Sequence, residues 1–366
     1  MSGSRASIYY WKCDRPAAFH GVFRASDAGS PNVLPQLVAL LEGAFGEPVQ
    51  LSEAGGKGNH RTYFLDYSGG RAFVRVEDGP EQDGHLAMES RVMGEVGKTG
   101  IPIPRVLFTD ASRTRVPFAV QVIEYFDCPD LKGMNQSGAP ALDRIASEIG
   151  RGVARWQDTP VLGFGPFDPE ATDRNGILTG YHSTYPAYFR LQLERHMTLL
   201  VADEFLTSDE AADIRRVIDE YQGMLEISKG CLVHKDLALW NIMGTPEGIR
   251  AFIDWDDAIV GDPTDDLSLL GCFHSASTVQ AAVDGYASIR ALPSDFQRRF
   301  WLHLLRNMIV KSVIRCGAGY FKPATKGAFL MAAGQDGPAF KQFTRDRLWS
   351  AFHGLRENRP LSVLEG

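Results

Sequence analysis

The chain has 366 residues, 44% of them hydrophobic and 23% charged, the make-up of a globular protein of about two domains with ample length to bury a core. Its net charge of −7 argues against a general nucleic-acid binder, and no apolar run reaches the eighteen residues that would read as a membrane span. The cysteines Cys13, Cys128, Cys231, Cys272 and Cys316 show neither a disulfide framework nor metal-ligand spacing. With no signal-like N-terminus, the expectation is a cytoplasmic protein with buried thiols.

Residues 1–30 read as an N-terminal arm. Its Ile8-Tyr9-Tyr10-Trp11 cluster is costly to leave in water. The arm is either a loosely ordered terminus or a segment that docks its rings on another surface, a second copy in a homodimer included. Ser30-Pro31-Asn32 then opens a helix, with Leu34, Leu37, Val38, Leu41 and Phe45 at helical spacing and Gly46 as its stop. Three strands follow over Val49–Ser52, Tyr63–Tyr67 and Ala72–Val76. The first two are joined by a loop holding Gly56, Lys57, Gly58 and Asn59, whose amides could approach a phosphate closely or simply turn a hairpin. Phe73-Val74-Arg75-Val76 places a cation on the third strand, and the helix around His85–Val96 offers Glu89.

Ile101-Pro102-Ile103-Pro104 ends that helix and leads to strands over Arg105–Phe108 and Phe118–Glu124. Glu124-Tyr125-Phe126 would connect a sheet-rich part, residues 31–125, to a mainly helical part, residues 126–366. Helices are expected over Leu142–Trp156, Thr278–Ile289, Phe296–Val313 and Ala339–Leu355. Tyr181–Arg190 carries four aromatics and a histidine. Most such clusters are core, but His182 and Tyr185 are candidates for a pocket wall.

The stretch from Cys231 to Gly271 carries the chemistry. His234-Lys235-Asp236-Leu237-Ala238-Leu239-Trp240-Asn241 fits the frame H-R-D-x-x-x-x-N, and Asp254 follows thirteen residues later at the end of Ala251-Phe252-Ile253. Phosphoryl transfer needs an acid to orient a hydroxyl and accept its proton, and oxygen ligands to hold Mg²⁺ against nucleotide phosphates. The apolar segments Cys231–Val233 and Ile249–Ile253, joined by Gly244-Thr245-Pro246-Glu247-Gly248, suggest a hairpin-like strand pair with acids at its ends.

These residues, together with Gly261-Asp262-Pro263-Thr264-Asp265-Asp266-Leu267, resemble the aminoglycoside phosphotransferase and choline kinase family, the small-molecule branch of the protein-kinase-like fold. Asp-Phe-Gly and Ala-Pro-Glu signatures of ordinary protein kinases are absent, which disfavours a polypeptide substrate. The resemblance implies an α+β, two-lobed fold with an antiparallel N-lobe sheet and a mainly helical C-lobe, using ATP and Mg²⁺. It implies Asp236 as catalytic base, Asn241 and Asp254 as metal ligands, and Arg75 with Glu89 and the glycine-rich loop as holders of the phosphates. Glu124 and Phe126 would sit by the adenine, His234 and Asp266 would be structural, and Asp256, His182, Tyr185 and Trp240 are substrate candidates. The family commonly has Gly after the His and a small polar residue before the Asn, where this chain has Lys235 and Trp240.

The expected activity is phosphorylation of a hydroxyl on a small metabolite or an aminoglycoside-like compound. The alternative is a nucleotide-binding or regulatory protein that keeps the fold without catalysis, motivated by Arg75 in the usual lysine position and the irregular glycine loop.

Overall fold

The computed structural model describes residues 5–15, 33–55, 60–79, 81–132, 139–323 and 336–364. Five strands build the N-terminal sheet: β1 (Gln50–Glu53), β2 (Arg61–Tyr67), β3 (Gly70–Glu77), β4 (Val106–Asp110) and β5 (Ala119–Glu124), in the antiparallel order β1-β2-β3-β5-β4. Side chains alternate across a strand, so Ala72, Val74 and Val76 of β3 enter one face while Phe73 and Arg75 enter the other. The first face is covered by the helix Val33–Phe45, whose Val33, Leu37, Leu40 and Leu41 join Leu65, Val74 and Val122 in a core of their own. On the second face lies the helix His85–Gly97, and this is what brings Glu89 to Arg75.

Beyond the helix Ala139–Trp156 the chain is less purely helical than expected. Strands β6 (Val161–Leu162), β7 (Phe164–Phe167), β8 (Leu178–His182), β9 (Cys231–Val233) and β12 (Ile259–Gly261) form a second five-stranded sheet in the order β6-β8-β7-β12-β9. These strands are two to five residues long, too short to show alternation over a window. Between β9 and β12 comes a separate hairpin of β10 (Ile242–Thr245) and β11 (Gly248–Phe252), with Ile242 opposite Phe252 and Thr245 opposite Gly248. The strand pair expected between Cys231–Val233 and Ile249–Ile253 is therefore corrected. The Pro246-Glu247 turn joins the two strands that directly flank it, and β9 pairs instead with β12, Val233 opposite Ile259.

The helices Leu193–Ala202, Ser208–Glu220, Ala276–Ala287, Phe296–Gly317 and Gly337–Glu357 complete the second lobe around a core centred on Trp156, Trp255, Phe300 and Trp301. Phe296–Gly317 is buried on nearly every side, which explains its weak amphipathic pattern. Among the described residues no helix is long and apolar enough to cross a membrane.

Helices Ala139–Trp156 and Ala276–Ala287 touch backbone to backbone. A Cβ on Gly150 would lie 1.8 Å from the Ala282 oxygen, and one on Gly285 would lie 2.0 Å from the Ser147 oxygen. Gly285→Ala should thus reverse the usual helical preference for alanine: instead of gaining up to about 1 kcal/mol it should lose roughly 1–3 kcal/mol from overpacking, read as a lower urea midpoint.

Buried His274 adds a pH dependence. Burial, and secondarily Arg347, lowers its pKa from 6.5 to about 4. As pH falls below 6.5 the unfolded chain takes up a proton that the folded chain refuses until about 4, so stability falls across that window. Between pH 7 and 5 the loss traceable to this group should be about 2 kcal/mol, measured as the difference in urea stability between the wild type and His274→Gln at the two pH values.

Candidate active site

The loop from His234 to Asn241 leaves β9 at the junction of the two lobes, and its backbone is pinned from below. Asp266, at the start of the helix Asp265–Leu270, accepts hydrogen bonds from the amides of His234 (2.9 Å) and Lys235 (3.0 Å) and from the Trp156 indole (3.2 Å). Burial pushes this carboxyl up to about 7, while the N–H donors favour its charged form. His234 gives its Nε2 proton to the Ile253 carbonyl at 3.0 Å and lies 4.4 Å from the Trp255 ring. Burial depresses its pKa, so it is neutral and ties the loop to β11.

Lys235 explains the departure from glycine at that position. Its φ is +68°, the left-handed region that glycine enters freely and lysine rarely does. Three bonds hold it there: Nζ reaches Asp265 at 2.7 Å, the Tyr9 hydroxyl at 3.1 Å and Asn307 at 3.1 Å.

Asp236 is 1% exposed, and both its oxygens are engaged. Oδ1 accepts from the Tyr10 hydroxyl at 2.6 Å and from Lys311 at 3.2 Å, and Oδ2 accepts from Lys12 at 2.7 Å and from the Asn241 amide nitrogen at 3.0 Å. Burial alone would raise its pKa, but the two ammonium groups, Lys12 foremost, hold it well below the usual carboxylate range. Asn241 also bonds the Asp236 carbonyl through the same nitrogen at 2.8 Å, so its oxygen is the atom that would meet a metal.

Asp254 follows β11 in a left-handed conformation, φ +64°, which aspartate tolerates better than most residues. Its Oδ1 accepts from Arg75 at 3.1 Å. Arg75 also bonds Glu89 at 2.5 Å, Gln121 at 3.3 Å and the His60 ring at 3.2 Å, so one guanidinium joins β3, its helix and the second lobe. Burial lifts Glu89 to about 7 against the pull of Arg75. Asp256 is buried and taken up by Arg5, whose Nη2 lies 3.1 Å from its Oδ1, while the Asp256 carbonyl meets Arg5 at 2.9 Å and the His85 ring at 2.9 Å.

The donor set suits Mg²⁺, a hard ion that prefers oxygen ligands and keeps waters: one amide oxygen and one carboxylate. The electrostatics agree. Against the cost of burial, Lys12 is held charged by Asp236, Asp254 and Asp257 together, so this cluster of carboxylates demands a cation.

Of the expected substrate residues, His182 and Tyr185 both lie against the Tyr188 ring, while Trp240 and Asp256 have other partners. Tyr185 is 0% exposed, its ring 5.9 Å from Phe164 and its hydroxyl 3.4 Å from His303, and a role in a pocket wall is corrected to core packing. His182 is half-buried, 6.3 Å from the Tyr188 ring, and its Nε2 is buried without a partner. Trp240 leans edge-on against Phe273 at 5.1 Å. Glu124 accepts from Arg105 at 3.2 Å at the end of β5, and Phe126 is half-buried just beyond it. Gly56, Lys57, Gly58 and Asn59 lie outside the described residues.

Sequence reasoning missed Tyr10, Lys12 and Lys311. The arm docks on its own chain: Tyr9 stacks on Tyr188 at 5.0 Å under the Arg306 guanidinium at 3.6 Å, and Asp14 meets His196 at 2.6 Å. The aromatic cluster is spent there, and a homodimer through it would have to do without those rings. Asn307 and Lys311 gave a usable signal: two polar residues four apart, hence on one face, in a helix otherwise rich in apolar residues.

Residues 50–300 match the model of the phosphotransferase enzyme family (APH), more than half of the chain, and the protein belongs to that family. Among solved structures, a thermostable mutant of the aminoglycoside phosphotransferase APH(4)-Ia in its apo form aligns with a TM-score of 0.58 at 17% identity, over 86% of this chain and 98% of that one. The ternary complex of such a mutant with ADP and hygromycin B aligns at 0.58 and 15% identity over the same shares. The streptomycin–ATP–APH(2")-IIa ternary complex aligns at 0.57 and 13% identity, over 88% and 99%. At such identities the likeness is one of fold, the two-lobed α+β fold of protein-kinase-like enzymes. No curated protein sequence matches the chain.

Asp266→Asn tests the pinning of the loop. The amide keeps the shape but has one accepting oxygen for two backbone N–H groups, so one buried donor loses its partner. Stability should fall by roughly 1–3 kcal/mol, read by urea denaturation.

Proposed function

We propose that the protein transfers the γ-phosphoryl group of ATP to a hydroxyl of a small molecule. The observation that carries this reading is the coupling of Asp236 to Asn241 at 3.0 Å in a loop pinned by Asp266, with Asp254 just past β11 held by Arg75 at 3.1 Å. Asp236 would orient the acceptor hydroxyl and take its proton. A carboxylate held this acidic is a weak base, and the loose transition state of phosphoryl transfer asks more for orientation than for early proton removal.

Asn241 and Asp254 would hold Mg²⁺, which supplies charge neutralisation at the phosphates. Arg75, positioned by Glu89, would contact the phosphates together with the loop of Gly56, Lys57, Gly58 and Asn59, and the segment Glu124–Phe126 would meet the base. Asp256, already paired with Arg5, is better suited to shaping the site than to binding a free amine. Aminoglycosides such as the hygromycin B and streptomycin of the structural relatives, amino alcohols, homoserine and sugars are the acceptors to try, and an uncharacterised metabolite is preferred.

The second reading, a nucleotide-binding protein without catalysis, is favoured by one observation: Asp236 is covered by the arm. The two are separated by ADP release from ATP and Mg²⁺ across that acceptor panel. The kinase reading expects one hydroxyl compound to raise turnover and Asp236→Asn to lower it by about 10²–10⁴-fold, the usual worth of a positioned general base. Turnover that survives in Asp236→Asn would sink the assigned mechanism. A nucleotide- and Mg²⁺-dependent thermal shift with no turnover would favour the second reading.

A further inference from the structure

The arm does more than cover the site. Tyr10 brings a hydroxyl to Asp236 Oδ1 at 2.6 Å, and among the described residues no other hydroxyl bonds that carboxylate. The position is built from both lobes and is not the chance rest of a terminus. Arg5 bridges Asp83 (2.7 Å) and Asp256 (3.1 Å), and the Trp11 amide donates to Asp257 at 3.3 Å. The amides of Tyr9 and Tyr10 both donate to Asp14, at 3.1 and 3.0 Å, and Tyr188 gives its hydroxyl proton to the Tyr9 carbonyl at 2.9 Å. Tyr10 itself is 3% exposed. A buried tyrosine needs some partner for its hydroxyl, and any carbonyl would serve. Here it has instead the one carboxylate assigned to orient an acceptor.

We propose that Tyr10 is an internal phosphoryl acceptor, modified in cis by a nucleoside triphosphate bound to the same chain. The inference rests on the reading of Asp236 as the acceptor-orienting group. A bond forms between Tyr10 Oη and the γ-phosphorus as the bond from that phosphorus to the β,γ-bridging oxygen breaks. The nucleoside diphosphate leaves with the electron pair, and the phenolic proton passes to Asp236 Oδ1. Hydroxyl and base already stand at hydrogen-bond distance, the arrangement such a transfer requires. Burial keeps the phenol neutral, so it enters as a hydroxyl donor. Lys311, 3.1 Å from Tyr10 Oη, and Lys12, on the other oxygen of Asp236, supply cations beside the incoming phosphoryl group.

The product differs sharply from the starting state. Phosphotyrosine carries about −1.5 to −2 charges, set next to Asp236 with Asp257 close by, and like-charge repulsion then works against the arm's contacts. Modification would loosen the arm and open Asp236 to an external hydroxyl.

The test uses the full-length chain, treated with phosphatase and then incubated with ATP and Mg²⁺ without added acceptor, with nucleotide binding confirmed by thermal shift and phosphate mapped by mass spectrometry. The expected result is phosphate on Tyr10, appearing at a rate independent of protein concentration and absent in Tyr10→Phe and in Asp236→Asn. A second readout needs no nucleotide: amide hydrogen exchange over residues 5–15 should be slow in the unmodified protein and faster in Lys12→Met, which removes one anchor to Asp236. Bound nucleotide with Tyr10 unmodified, a rate that scales with protein concentration, or an arm that already exchanges freely would each overturn the proposal. Turnover of an external acceptor by a protein that never labels Tyr10 would overturn this proposal and leave the kinase reading standing. Failure to bind nucleotide at all would remove both.

Discussion

Negative charge crowded at the junction of the lobes is the constraint on which the rest depends. Asp236, Asp254, Asp256 and Asp257 come from one short run of chain, because two strands and a tight hairpin fold that run back on itself. Asp236 and Asp256 are buried and Asp254 and Asp257 partly so, and carboxylates crowded in this way are tolerated only with cations or hydrogen-bond donors against them. Each cation arrives from a distant segment: Arg75 from the N-terminal sheet, Lys311 from the long buried helix, Arg5 and Lys12 from the arm. The acids thereby dictate where three otherwise unrelated segments must lie. Apolar packing also crosses the junction, since Met88, Val92 and Val96 share one core with Trp156, Phe252 and Trp255, and the ion pairs add to it the fixed positions of the charged groups.

Much of this was legible in the sequence. The five strands of the N-terminal sheet and the helices Val33–Phe45, Ala139–Trp156 and Ala276–Ala287 announce themselves through periodicity and through glycine or proline boundaries. The spacing of Asp236, Asn241 and Asp254 marked the candidate site because a loop and a hairpin of fixed length fix those intervals. The second sheet was illegible for a physical reason. Its strands are shorter than one period of any recognisable pattern, and their partners are set by contacts far apart in sequence, such as Ile259 with Pro166 on one side and Val233 on the other.

The cations were hidden for a different reason. Lys12 is an ordinary lysine in the linear sequence, and although Lys311 stands out with Asn307 on one face of an apolar-rich helix, only the fold reveals that both lysines end on one carboxylate. Tyr185 misled in the opposite direction. An aromatic cluster reads the same whether it lines a pocket or fills a core, and here Tyr185, Tyr188 and Phe189 form the bed on which the arm's Tyr9 lies.

Lys235 carries a lesson about how such a site can change over time. Its backbone sits where glycine would be at ease, and its side chain holds Asp265, Asn307 and Tyr9 at once. A single replacement by glycine would relax the loop while taking the cation from buried Asp265, which would keep only its hydrogen bond from the Asn307 amide, and loosening the arm. A single change at Tyr9 would leave a lysine in an awkward conformation with one reason fewer to be there. Neither step is neutral alone, and the two sites are energetically coupled. The arm and the loop His234–Asn241 are bound to one another by epistasis: a change in either shifts the cost of a change in the other.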